Sequence, residues 1–102
     1  MEEPDAMDLT QLKASLALEA PPADLAPPLQ GLWWEAKGDW DRGHRIVQQY
    51  GDRDAAWVHA YLHRKEPDLS NASYWYARAS KPDASGSFDA EWDEIARTLL
   101  GQ

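Results

Sequence analysis

The chain has 102 residues, no cysteine and a formal net charge of −8. That length makes one domain with a single modest core. The missing cysteine removes disulfides, thiolate chemistry and cysteine-ligated zinc, and the acidity argues against nucleic acid or an anionic membrane as partner.

The charge is uneven. Residues 1–30 hold six acids against one lysine, residues 31–81 seven acids against eight bases, and residues 82–102 five acids against one arginine. The nearly neutral middle is where a site is expected, since acidic ends mainly keep a protein in solution. No apolar run approaches the roughly 20 residues needed to span a bilayer. The start, MEEPDAMD, lacks the basic stretch and apolar run of a signal peptide. A cytoplasmic protein with no membrane partner is expected.

In chain order, residues 1–4 are expected to be disordered. From Asp5 or Asp8, Leu9, Leu12 and Leu16 recur at helical spacing and predict a helix to about Glu19, closed by Pro21-Pro22. A second helix begins near Pro28, carries Leu29, Leu32 and Trp33, and stops near Gly38. Asp39 or Asp41 caps a third, running to about Tyr50. A fourth runs from about Asp54 to Lys65 and a fifth from about Leu69 to Ala79, with Pro67-Asp68 as the turn between them. The last starts at Ser87 and aligns Phe88, Trp92, Ile95 and Leu99 on one face. Nothing alternates as a strand would, so the expected fold is one all-α domain of about six helices over residues 1–102.

Sliding the chain on itself by 29 residues sets Gly31 on Ala60, Trp34 on His63, Gly38-Asp39 on Pro67-Asp68 and Gly43 on Ala72. Each copy reads as helix, turn, helix, with a small residue in each helix where the backbones could cross. GDWDRGHRIV and PDLSNASYWYARA resemble the second halves of tetratricopeptide and Sel1-like repeats. The resemblance implies two tandem hairpins, residues 28–50 and 54–80, with the N-terminal helix and a C-terminal helix at about 87–100 as caps over the two ends. The stretch WVHAYLHRKEPDLSNASYWYARA also resembles a set of small uncharacterised microbial proteins, from which no activity carries over.

Repeats of this kind imply a non-enzymatic module that binds a protein or peptide partner. The binding candidates are His59, His63, Arg64, Asn71, Tyr74 and Arg78. No catalytic constellation stands out: there is no nucleophile elbow and no glycine-rich phosphate loop. No cofactor is implied. The alternative is a metal-binding protein or small enzyme. His59 and His63 share a helix face, and counting back from the Gly51 turn sets His44 level with them, so three imidazoles could converge. Against a protease-type metal site, HAYLH lacks the glutamate of HExxH. Packing offers a simpler account of the same histidines, and helix-end electrostatics a simpler account of Arg64 and Lys65. The adjacent rings Trp33-Trp34 and Tyr74-Trp75-Tyr76 cannot share one face, which leaves flanking helices, a groove or a homodimer seam to cover them. Exposure of His59, His63 and Tyr74 is the observation that separates an open binding groove from packing.

Overall fold

The computed structural model describes residues 7–101. These form six helices: α1 (Leu9–Ser15), α2 (Pro27–Ala36), α3 (Trp40–Val47), α4 (Arg53–Lys65), α5 (Leu69–Arg78) and α6 (Phe88–Leu99). No strand occurs among the described residues, so the fold is all-α as expected. The disorder expected for residues 1–4 lies outside the described residues.

Each start has a local cause. Side chains of Asp8, Asp39, Asp52, Asp68 and Ser87 accept the backbone N–H three residues on, which would otherwise be unpaired in a first turn. α2 has no side-chain cap and opens on prolines, whose missing N–H costs nothing in a first turn. After Ala36 the chain turns at Gly38, where φ is +91°, and the Asp39 N–H returns to the Trp34 carbonyl at 2.9 Å. The turn after α4 repeats this closure, with the Asp68 N–H on the His63 carbonyl at 2.7 Å. Trp34 and His63 are 29 residues apart.

α1 ends at Ser15, four residues before the expected Glu19. The reason is tertiary. The Ser15 hydroxyl accepts from Trp33 Nε1 at 2.9 Å, and the Lys37 ammonium donates to the carbonyls of Leu16 and Leu18 at 2.7 and 2.8 Å. Lys37, just past α2, thus satisfies carbonyls in the turn that follows Ser15.

α2 pairs with α3 and α4 with α5, and the two pairs stack through α2, α3 and α4. The backbones of α2 and α3 cross at two glycines. A Cβ on Gly43 would lie 2.6 Å from the Gly31 carbonyl oxygen, and one on Gly31 would lie 2.6 Å from Val47 Cγ1. Their counterparts, Ala60 and Ala72, are both buried. The flanking helices do not close opposite ends of the stack. α6 lies against both α2 and α4, and α1 lies against α6. Trp92 drives this, because its ring is buried and its Nε1 donates to the Leu32 carbonyl at 3.2 Å. A Lys13–Asp93 ion pair at 2.9 Å joins α1 to α6.

α4 is therefore central, with neighbours α2, α3, α5 and α6. Every residue from Ala55 to His63 is buried, the pattern of a helix covered on all sides. That is why His59 and His63, though polar, lie inside the molecule.

Candidate functional site

The nearly neutral middle of the chain folds into a closed cluster of imidazoles and indoles. α4 contributes His59 and His63, whose rings stack at 4.9 Å and 25° as residues one turn apart on one face can. α3 contributes His44, which meets both rings edge-on, at centroid distances of 4.8 and 5.1 Å. Its Nε2 lies 3.1 Å from His59 Nε2. One ring nitrogen of each histidine lies within 4.8 Å of the other two. The structure thus brings together the three imidazoles that counting from the Gly51 turn set level.

Indoles wall the cluster on two sides. Trp40 lies flat on His44, with 4.8 Å between centroids, and its Nε1 is fixed on the Leu62 carbonyl at 2.7 Å. Trp75 lies flat on His59 at 3.9 Å. His59 and His63 are 5% and 6% exposed, whereas His44 is half-buried and marks the open side.

The two nitrogens of His63 are distinguished by their partners. Nδ1 is 2.8 Å from the Glu66 carboxylate, which can only accept, so Nδ1 carries the proton. Nε2 lies 3.4 Å from Asn71 Nδ2. Burial pushes the pKa of His59 down to about 4, helped by the nearby His44 and His63. Burial, then His63, also lowers that of His44, against the opposing pull of Glu66 and Asp41. At neutral pH His44 and His59 are therefore uncharged, each with one nitrogen lone pair available.

The other binding candidates separate from one another. Asn71 borders the cluster. Tyr74 is 53% exposed, one turn further along α5, and Arg78 donates to its hydroxyl at 3.1 Å while its guanidinium lies 5.1 Å over the Trp75 ring. Arg64 points the other way, toward α6. It donates to Glu91 Oε1 at 2.7 Å and to the Gly86 carbonyl, and it lies over the Phe88 ring at 4.5 Å. Glu91 is 6% exposed and also accepts from the Tyr76 hydroxyl. Arg64 is thus one member of a buried clasp joining α4, α5 and α6, where the sequence suggested only helix-end electrostatics or an anion clamp.

The sequence reading missed Trp40 and Trp75 as walls of the cluster and Glu91 as a buried group. For the tryptophans a signal existed: Trp40 precedes His44 by four residues and Trp75 follows Asn71 by four, so each shares a face with a residue already singled out. Elsewhere, a cavity of about 580 Å³ is lined by residues including Glu35, Tyr61, Lys65 and Trp92, and by none of the three histidines. Four of its charges are already paired, Lys65 with Glu35 at 3.0 Å and Lys13 with Asp93, which leaves Asp89. A scan against protein-family models and searches of curated proteins and of solved structures give no match to the chain.

Proposed function

We propose that the protein binds a divalent transition-metal ion through His44, His59 and His63. The observation that carries this reading is the mutual approach of three imidazole nitrogens, two of them 3.1 Å apart. Nitrogens bound to one tetrahedral zinc at about 2.0–2.1 Å are separated by about 3.3 Å, close to the His44–His59 separation, and the His63 ring would turn inward to complete the set. Imidazole donors suit zinc, copper, nickel and cobalt and do not suit magnesium or calcium. The carboxylate of Glu66 behind His63 Nδ1 is the outer partner that metal-bound histidines usually have, fixing the tautomer and ring orientation. Depressed basicity at His44 and His59 means that protons compete less with the ion at neutral pH. The ion would cross-link α3 to α4, and so the first hairpin to the second.

A second reading keeps the chain as a tetratricopeptide- or Sel1-like module that docks a protein or peptide. What supports it is the pairing of helices at the 29-residue shift, together with exposed Tyr74 and Arg78 on α5. The closure around His59 and His63 counts against a groove at those two residues, so that surface would be α5 alone.

Metal content of protein purified without a histidine tag, followed by calorimetric titration with zinc, tests the first reading. One ion per chain is expected, with uptake lost in His44→Ala and His63→Ala. Protein that takes up no zinc, nickel, copper or cobalt, and shows no thermal shift with them, overturns it and leaves the histidines as packing groups.

A further inference from the structure

We infer that Asn71 competes with the ion for His63 Nε2 and so sets how tightly the histidine site binds. This rests on the metal reading above.

The two ring nitrogens of His63 are unequal as ligands. Nδ1 is committed to the Glu66 carboxylate at 2.8 Å, which leaves Nε2 for the ion. Asn71 Nδ2 stands 3.4 Å from that Nε2. An ion on Nε2 sits at about 2.0–2.1 Å, so it and the amide nitrogen cannot both face that atom. The amide nitrogen has hydrogens to give and no lone pair to offer, so it cannot join the set as a ligand. The contact therefore opens when His63 turns inward to His44 and His59.

The amide is held in place from its own helix. The Asn71 backbone N–H caps α5 on Asp68 Oδ1 at 3.4 Å, and its Nδ2 lies 3.5 Å from Asp68 Oδ2. Uptake is then an exchange of ties between helices. His63 faces α5 through Asn71 in one arrangement and joins α3 through the ion and His44 in the other. An ion that binds only the second arrangement loses affinity in proportion to the share of molecules held in the first. The His44–His59 approach at 3.1 Å also rearranges on binding, but both of its members are ligands. Asn71 is the competitor that can be removed while the ligand set stays whole.

Calorimetric titration of tag-free, full-length protein with zinc, wild type beside Asn71→Ala, is the test. The variant keeps its helix cap, because Asp68 holds the backbone N–H of residue 71, and alanine suits a helix. Circular dichroism melts in chelator check that it folds. Asn71→Ala should bind zinc about three- to tenfold more tightly than wild type, the net worth of one hydrogen bond. Adding His44→Ala to it should abolish uptake, which places the gain at the histidine site. Removing a side chain that only supports the fold would not tighten binding. Affinity that is unchanged or weaker in folded Asn71→Ala overturns the inference, the weaker result meaning that the amide turns over and gives Oδ1 to the ion. No zinc uptake by wild type or variant overturns the metal reading itself.

Discussion

His44 and His59, fifteen residues apart in the chain, present their Nε2 atoms to each other at 3.1 Å across the contact between α3 and α4. Only one of those two atoms can carry the proton of such a contact. The neutral pair already carries one N–H on each ring, so one added proton makes a single imidazolium, and a second brings two like charges together inside a helix stack.

Acid should destabilise the metal-free protein earlier than its carboxylates alone require. The His59 pKa falls from 6.5 unfolded to about 4 folded, so between those values the unfolded chain binds the extra proton. Stability is fully present above pH 6.5 and declines as pH drops toward 4, by ~3 kcal/mol at the limit and ~2 kcal/mol by pH 5. Urea unfolding with chelator present, at pH 7 and pH 5, measures this. His59→Phe, which can still stack on Trp75, should remove most of the dependence in that window, and an unchanged slope would count against a buried neutral His59.

Gly43→Ala should cost more than Gly31→Ala. The new methyl on Gly43 meets a backbone oxygen at 2.6 Å, whereas that on Gly31 meets a valine methyl at 2.6 Å and the Gly43 oxygen at 3.3 Å. A side chain can turn away and a helix carbonyl cannot. Overpacking of this kind costs about 1–3 kcal/mol, with Gly43 expected at the upper end in denaturant titration. Equal costs would mean that α2 and α3 simply slide apart.

Glu91→Ala should be among the most damaging single changes in α6. It strands Arg64, whose side chain is 12% exposed, and removes the acceptor of the Tyr76 hydroxyl. Breaking a buried pair on one side typically costs about 3–5 kcal/mol. Replacing both partners with apolar groups, Arg64→Met with Glu91→Leu, should cost less than Glu91→Ala alone. If the double change is worse, the ion pair stabilises more than its apolar substitute does.

Ser15→Ala should lower stability by about 1–3 kcal/mol, because it leaves the buried Trp33 Nε1 without a partner. In a Trp33→Phe background the same change should cost much less. Additive effects would show that the hydroxyl matters for some reason other than the indole.

The six helices were legible because their signals are local. Asp8, Asp39, Asp68 and Ser87 stand where caps must, prolines and glycines interrupt, and apolar residues recur at helical spacing. The level placement of His44 with His59 and His63 was legible too, since a tight turn at Gly51 fixes the count. The early end of α1, the common face taken by α1 and α6, and the burial of Glu91 were not. Each depends on a partner far along the chain: Lys37 for the Leu16 carbonyl, Leu32 for the Trp92 N–H, Arg64 for the Glu91 carboxylate. Spacing within one helix carries no record of which other helix will cover it. Glu91 in particular follows Asp89 in an acidic first turn, where helix physics alone accounts for both.

The most direct measurement is calorimetric titration of tag-free protein with zinc at pH 7, wild type beside His44→Ala and Glu66→Gln. The account predicts one ion per wild-type chain, none held by His44→Ala, and uptake weakened about 10- to 100-fold by Glu66→Gln, whose side chain supports His63 without touching the ion. Zinc binding that is absent in wild type, or equal in wild type and His44→Ala, would contradict it.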